Sequence, residues 1–208
     1  MEISYKRYLS VFIITFLLFL VTFLIAQKIT SRTSEDFLRM QKYMSNYLIS
    51  LNLQSEIAKE NICKVDVFQL TRDKSELGKQ LDILEKTLGK DNEVVKDLKK
   101  DYTIVSIRQW LMVKKFKESC KGDMNIILFF YSNKINSSES ESQGYLLDYL
   151  YRKHPENLVI YAFEWEQDNP ALNTIKQIYG VNSVPTIVIN DRTLSGFQSQ
   201  EKIESLLT

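Results

Sequence analysis

The sequence predicts an α/β domain of β-α-β-α-β-β-α order at the C-terminus, preceded by a transmembrane helix and an α-helical region. Three observations lead to this prediction. Residues 8–27 carry no charged side chain, residues 34–120 lack proline and place apolar residues at helical spacing, and after Gly122 the apolar residues form short runs. The predicted segments are a short tail at 1–7, a membrane segment at 8–27, a helical region at 28–122 and the α/β domain at 123–208.

Composition and charge narrow the functional classes. The 208 residues are 44% hydrophobic and include two cysteines, which excludes a disordered chain and a disulfide-rich one. Residues 28–122 hold 19 Lys and Arg against 14 Asp and Glu, whereas residues 123–208 hold 6 against 11. These opposite charges fit either two solvated faces or a basic helical region that docks on an acidic domain. Because no stripe of basic residues alternates with aromatic ones, a nucleic-acid partner is not expected.

The uncharged run at 8–27 has the length of a membrane crossing. Twenty helical residues extend about 30 Å, which is the thickness of the hydrocarbon core of a bilayer. The run is longer than that of a cleaved secretory signal, so we predict an uncleaved, single-pass signal anchor. Basic residues flank both of its ends, Lys6 and Arg7 before it and Lys28 and Arg32 after it, and leave the orientation open.

The helical region is predicted to contain three helices, the last two of which form a hairpin. The first starts at Thr33 or Ser34, where a hydroxyl can cap free amides. The hairpin turns at Gly89, and Asp91 or Asn92 caps the helix that follows. The first hairpin helix carries leucines at 4-3-4 spacing, namely Leu77, Leu81, Leu84 and Leu88. Such a stripe is typical of a packing surface.

The two cysteines bracket the predicted hairpin. Because antiparallel helices bring their outer ends together, Cys63 and Cys120 are placed to form a disulfide. The bridge would close a loop of about 57 residues, with a chain-entropy stabilisation of ~4 kcal/mol. It also suits an exterior, extracytoplasmic location, whereas two unrelated buried thiols are the alternative. A metal site is not expected, because further ligands are lacking and the one histidine, His154, is distant in sequence.

After Gly122 the pattern indicates strands alternating with helices. The predicted elements are a strand at 126–131, a helix over 144–150, a strand at 158–165, a helix that begins at Asn169-Pro170, a hairpin of 186–190 with 192–197 turning near Asn190-Asp191, and a helix at 199–207. Tyr161, Phe163 and Trp165 alternate along the second strand and are expected to pack on one face of the sheet. The polar stretch 133–142 is predicted to be a loop.

This domain resembles the thioredoxin superfamily over about residues 124–208. The resemblance rests on the strand Ile126–Ser132 (IILFFYS), the tract Tyr179–Thr186 (YGVNSVPT) and Gly196. It implies that the Val184–Pro185 peptide bond is cis and lies beside the active site of the family. A trans proline that opens an edge strand is the alternative.

The resemblance also implies a binding tract. Its residues are Ser183, Val184, Pro185 and Thr186. A cis bond turns the chain sharply and exposes backbone groups for pairing with an extended segment. The implied partner is therefore a protein or peptide.

The cysteines of the family's redox enzymes are missing. Those enzymes carry Cys-x-x-Cys directly after the first strand. In this chain that position falls on Ile135, Asn136, Ser137 and Ser138, or on Ser137, Ser138, Glu139 and Ser140. A serine hydroxyl has no comparable exchange chemistry, so dithiol catalysis at this position is excluded. Residues 136–138 also form an N-glycosylation sequon, with Asn136 as the acceptor.

The sequence therefore favours a membrane-anchored, redox-inactive thioredoxin-like protein that binds extended protein segments as an interaction or chaperone-like module. One alternative is a thiol-disulfide oxidoreductase in which Cys63 and Cys120 exchange electrons. Another is a structural subunit of a membrane complex, with the leucine face at 77–88 on a partner helix. The expected partners are the membrane and a protein or peptide, and no cofactor is implied. The oligomeric state is not predicted.

Overall fold

The structure, a computed structural model, describes residues 5–120 and 122–207, without the side chains of residues 5–7, 10, 24–38 and 40. Two compact units are present, Met1–Ser45 and Asn46–Thr208. The helices in the described part are α1 (Tyr5–Glu60), α2 (Val67–Leu88), α3 (Glu93–Cys120), α4 (Ser137–Lys153), α5 (Pro170–Ile178) and α6 (Gln200–Glu204), with a 3-10 turn at Ile62–Lys64. The strands are β1 (Asn125–Tyr131), β2 (Leu158–Glu164), β3 (Thr186–Ile189) and β4 (Arg192–Ser195).

Helix α1 is continuous from Tyr5 to Glu60, and this corrects two predictions. No helix starts at Thr33 or Ser34, because no proline or glycine interrupts α1. The uncharged run at 8–27 is one part of this helix, which continues into charged residues. Within residues 5–120 and 122–207, no helix is both long enough and apolar enough to cross a membrane. The predicted transmembrane helix and the single-pass, extracytoplasmic location that depended on it are therefore wrong.

The predicted α/β class is also wrong for the chain as a whole. Helices account for 66% of the residues, and the described strands form one small mixed sheet of four. The reason is the length of the first three helices, which together precede the sheet without a proline to interrupt any of them.

The sheet has the strand order β2-β1-β3-β4. Strand β1 pairs in parallel with β2 and antiparallel with β3, where Phe130 lies opposite Thr186. Strands β3 and β4 form an antiparallel hairpin. Its turn residues Asn190 and Asp191 have φ values of 45° and 70°, as a two-residue turn between strands often requires. The hairpin predicted from the sequence is confirmed.

Side chains of β1 alternate between two apolar cores, one on each face of the sheet. Ile126, Leu128 and Phe130 belong to a core that also contains residues of α2, α3 and α5. Ile127 and Phe129 belong to a second core, which α4 and α6 complete. Helices therefore cover both faces of the sheet.

Aromatic residues of β2 fill the first of these cores. Tyr161 and Phe163 are fully buried there, and Trp165 packs against it while partly buried. This confirms the prediction that the three side chains pack on one sheet face.

The helical hairpin of α2 and α3 has the predicted caps. Gly89 ends α2 with a φ of 91°, a conformation that favours glycine. The Asn92 side chain accepts a hydrogen bond of 3.0 Å from the Val94 N–H and so caps the start of α3. The leucines at 77, 81 and 84 are buried inside the chain, so this face is not open to a partner helix.

Helix α4 is longer than predicted and begins at Ser137. The predicted loop at 133–142 therefore ends after Asn136. The reason is that Glu139 lies in the first turn, where an acidic side chain interacts favourably with the helix dipole.

Cys63 and Cys120 form the predicted disulfide at the open end of the helical hairpin. Their Cα atoms lie 5.5 Å apart, within the usual range for a disulfide. Cys63 is exposed and Cys120 is partly buried. A redox role of this bridge stays an alternative prediction from the sequence.

Replacing both cysteines in a Cys63→Ser/Cys120→Ser variant is expected to lower the free energy of unfolding by up to ~4 kcal/mol, because the unfolded chain gains loop entropy. Urea unfolding followed by circular dichroism measures the change. Reductant should destabilise the native chain and leave the variant unchanged. Equal stability of the two proteins without reductant would contradict a stabilising bridge.

Candidate functional site

The loop after β1 meets the proline tract at the carboxyl end of that strand. Asn136 precedes α4, and its side-chain amide donates a hydrogen bond of 3.1 Å to the Val184 carbonyl. On the other side, the Gly196 N–H donates a hydrogen bond of 2.8 Å to the Pro185 carbonyl. The Val184–Pro185 bond is cis, as the family resemblance implies. Two successive carbonyls are thus held by chain segments that are distant in sequence.

Three exposed side chains belong to this tract or to the segments that hydrogen-bond to it. Ile135 is 55% exposed and precedes Asn136 in sequence, whereas Phe197 is 47% exposed and follows Gly196. Ser183 is also exposed, whereas Val184, Pro185 and Thr186 are buried. We call Ile135, Ser183 and Phe197 the tract surface. It combines two apolar side chains with a polar turn.

A hydrogen bond between two tract residues also stabilises the tract. The Thr186 hydroxyl donates a hydrogen bond of 2.7 Å to the Ser183 carbonyl. Because Thr186 belongs to β3 and pairs with Phe130 of β1, this bond ties the turn to the sheet. Ser183 is therefore presented on a fixed backbone.

Ser132 organises the loop that carries Ile135. Its hydroxyl oxygen accepts hydrogen bonds from the N–H groups of Lys134 (2.9 Å) and Ile135 (2.7 Å). The same hydroxyl donates a short hydrogen bond to the Glu166 carboxylate. The Ser132 N–H in turn donates to the Ser140 hydroxyl oxygen at 3.2 Å. Ser132 is buried, so its hydroxyl holds the loop and is shielded from substrates.

The residues that the resemblance predicts at the Cys-x-x-Cys position lie on both sides of the helix start. Ile135 and Asn136 precede α4, Ser137, Ser138 and Glu139 are exposed in its first turn, and Ser140 is buried. Within the described part of the chain, no basic side chain hydrogen-bonds to the hydroxyl of Ser137 or Ser138. The sequon at Asn136 stays a prediction.

An ionic cluster joins the tip of the helical hairpin to this loop. Lys90 donates a hydrogen bond of 3.1 Å to the Asn133 side-chain oxygen, and the Asn133 amide donates one of 3.0 Å to Glu164. The ammonium of Lys99 lies 2.5 Å from Glu164 and 3.0 Å from Glu85. The cluster therefore links α2, α3, β2 and the loop.

The ionised groups of this cluster stabilise the charged form of each other. Burial alone would raise the pKa of Glu164, but hydrogen bonds from Lys99 and Asn133 outweigh it and hold the pKa below its ordinary value. Burial alone would lower the pKa of Lys99, but its bonds to Glu164 and Glu85 outweigh it and raise the pKa. The pair is therefore ionised across the neutral range.

The disulfide lies at the other end of the sheet from the tract surface. Near Cys120, Lys114 forms an ion pair of 2.9 Å with Asp191, and Lys117 donates a hydrogen bond of 3.0 Å to Asn190. These contacts attach the end of α3 to the turn between β3 and β4. A strand of seven residues such as β1 spans about 23 Å. The cysteines are therefore not brought to the residues of the predicted binding tract.

Sequence reasoning missed Ser132, Glu166 and the Lys99–Glu164 pair. A signal for two of them was present, because Ser132 follows β1 and Glu166 follows β2. Neighbouring parallel strands end at the same edge of a sheet, so residues that follow them come close together. Nothing local in the sequence indicates that Lys99, on a different helix, reaches this edge.

Comparisons with known proteins do not assign the chain to a family. No family model and no curated protein matches the chain. A solved structure titled "Structure of a malarial protein" is 18% identical to it with a TM-score of 0.33, over 40% of this chain and 92% of that one. A similarity at this level has no bearing on the function of the chain.

A Glu164→Gln variant is expected to be less stable at pH 7 by ~1–3 kcal/mol, because Lys99 loses its closest counter-charge in a partly buried place. The pKa of Glu164 is lower in the folded chain than its ordinary value of 4.5. Its stabilising contribution is thus present above pH 4.5 and is lost as the pH falls through the folded pKa. Urea unfolding from pH 3 to pH 7 should therefore show a weaker acid-induced loss in the variant.

The matched control is Asp97→Asn, which removes one partner of an exposed pair on α3. Asp97 lies 3.0 Å from Lys100, and both side chains are more than half exposed. Because exposed pairs contribute little, no measurable change is expected. An equal effect of the two substitutions would contradict a special role for the Lys99–Glu164 pair.

Proposed function

We propose that residues 124–208 are a redox-inactive, thioredoxin-like module that binds extended protein segments at the tract surface. The order β1-α4-β2-α5-β3-β4-α6 and the proline tract that precedes β3 support this proposal. The hydroxyl groups of Ser137 and Ser138 in place of thiols support a role in binding without dithiol exchange.

One observation carries the proposal. Hydrogen bonds from Asn136 and Gly196 to successive carbonyls of the tract bring the loop and the end of β4 together around it. Exposed Ile135 and Phe197 are the sequence neighbours of the two residues that make these bonds, and exposed Ser183 directly precedes Val184. Extended segments are commonly recognised by main-chain hydrogen bonds together with apolar contacts to their side chains. The tract surface offers the apolar contacts, and a main-chain contact would use the second lone pair of a tract carbonyl that already accepts one hydrogen bond.

Binding at this surface is expected to be weak and reversible. The Val184 carbonyl already accepts a hydrogen bond from Asn136. An incoming N–H group therefore uses the remaining lone pair of that oxygen or competes with the Asn136 amide. In both cases the net gain in binding free energy is smaller than it would be for a carbonyl that accepts no other hydrogen bond.

The charge of the domain favours basic segments. Residues 123–208 hold 6 Lys and Arg against 11 Asp and Glu. Glu139 and Glu141 are exposed near the start of α4, close in sequence to Ile135. Complementary charge speeds association and suppresses wrong partners. The preferred segment therefore combines apolar side chains with Lys or Arg.

The two alternatives have less support. In an oxidoreductase, the reactive thiols should lie close to the substrate. Cys63 and Cys120 lie at the other end of the sheet from the binding tract. A structural role that uses the leucine face of α2 would require Leu77 and its neighbours to be exposed, whereas they are buried.

An Ile135→Ser/Phe197→Ser variant is expected to lose at least about fivefold in affinity for extended apolar peptides that carry Lys or Arg, because apolar burial in the complex is removed. Fluorescence anisotropy with a small panel of labelled, unstructured peptides measures this loss. Both side chains are exposed, so the fold should tolerate the changes.

The control is Ile178→Ser at the end of α5. Ile178 is 67% exposed and lies outside the tract surface, so its replacement should leave the affinity unchanged. Equal affinities of the double variant and the native chain would contradict the proposed binding surface.

A further inference from the structure

Lys74 is a buried lysine whose amino group contacts aromatic rings. The residue lies on α2 and is 4% exposed. Its Nζ atom is 4.3 Å from the centre of the Tyr161 ring and 5.4 Å from that of Tyr102. Within residues 5–120 and 122–207, no carboxylate forms an ion pair with this amino group. Buried lysines without a counter-ion are rare and are frequently functional.

Gly78, one turn along α2, makes room for one of the two rings. A Cβ atom at this position would lie 2.6 Å from the Tyr102 hydroxyl oxygen. Any larger residue would therefore force the Tyr102 ring to move. The position of this ring beside Lys74 depends on the glycine.

Lys74 lines a cavity of about 240 Å³. The cavity lies between the helical hairpin, α4 and the outer strand β2, and its walls include Phe129, Leu147 and Ala162. Most ligand pockets are somewhat larger, so this volume suits a molecule with one ring or a short chain. Thr71, Ser75 and Asp148 add polar groups to these walls, so a neutral molecule with a polar group suits the cavity better than an ion.

The titratable groups that contact the amine or line this cavity come from three elements. They are Tyr102 of α3, Tyr161 of β2, and Asp148 and Tyr151 of α4. Asp148 forms an ion pair of 2.8 Å with Arg152 on the exposed side of α4. Burial raises the pKa of Tyr102 to about 12 and that of Tyr161 well above its ordinary value. Both phenols are therefore neutral at pH 7.

Burial lowers the pKa of Lys74 to about 7, because the charged form loses its hydration. About half of the Lys74 amines are then neutral at pH 7, compared with roughly one in 2,500 for an ordinary lysine with a pKa of ~10.4. The neutral form has the lone pair that attacks an electrophile.

We propose that Lys74 is a reactive amine that binds small, uncharged aldehydes or ketones in this cavity by forming an imine. The proposal is independent of segment binding at the tract surface. It rests on the cavity that Lys74 lines and on the lack of a carboxylate partner among the described residues.

The reaction needs no oxidant or reductant. The nitrogen lone pair attacks the carbonyl carbon, the C=O π bond opens, and the oxygen takes one proton from the nitrogen to give a carbinolamine. The hydroxyl group then leaves with the second nitrogen proton as water while the C=N bond forms. A neutral imine is more compatible with apolar walls than a charged adduct.

The test uses the full chain and benzaldehyde, a neutral aldehyde with one ring. After timed incubations, sodium borohydride reduces each imine to a stable secondary amine and the remaining aldehyde to an alcohol, and mass spectrometry of peptides maps the modified lysines. At pH 7, Lys74 is expected to react at least about tenfold faster than an ordinary lysine, because of its larger neutral fraction. The internal reference is Lys79, whose side chain is 72% exposed on the same helix.

A pH series and two variants complete the test. The labelling rate of Lys74 should level off above about pH 7, whereas that of ordinary lysines rises to about pH 10. The fast phase should vanish in Lys74→Met and persist in Lys79→Met. If Lys74 were labelled no faster than Lys79, the proposal would be overturned. Lys74 would then be a protonated lysine that contacts the rings of Tyr102 and Tyr161. The comparison within one native chain does not depend on whether a variant folds.

Discussion

The burial of β1 on both faces is the constraint on which the rest of unit Asn46–Thr208 depends. Ile127 and Phe130 point to opposite sides of the strand, and neither is exposed. A strand that is apolar on both sides needs a cover on each face. Helices α4 and α6 supply one cover, and α5 with the helical hairpin supplies the other. Strand β1 ends at Tyr131, and the loop of the tract surface begins at the buried Ser132.

The helical hairpin is an integral part of this fold. Trp110 and Met112 of α3 share a core with Phe130 and Phe163 of the sheet. Ion pairs fix the hairpin near both ends of the sheet, through Lys99 at the loop and Lys114 at the turn between β3 and β4. Both pairs join a basic residue of the hairpin to an acidic residue of the C-terminal part, as expected from one of the two interpretations of the opposite charges.

Local patterns predicted the local structure well. Apolar runs located β1 and β2, Asn190 and Asp191 located a turn, and the positions of Cys63 and Cys120 located the disulfide. Signals that depend on context were misread. A capping residue such as Ser34 does not begin a helix when the preceding residues are already helical, and an uncharged run does not by itself establish a membrane crossing.

The sites were harder to predict because their contacts are distant in sequence. Asn136 and Val184 are 48 residues apart, and no local pattern links them. Lys74 did leave a signal, since it continues the buried stripe at the spacing between Leu70 and Leu77. A lysine at a core position is easily read as an interruption of such a stripe, although its position predicts burial.

Backbone amide chemical shifts test the central claim, segment binding at the tract surface, most directly. A ¹⁵N-labelled chain would be titrated with an unstructured peptide that combines apolar and basic residues. We expect the largest shift changes at Ile135, Asn136, Ser183 and Phe197. Changes centred instead on the exposed apolar residues Leu53 and Ile57 of α1, or no changes at all, would contradict the claim.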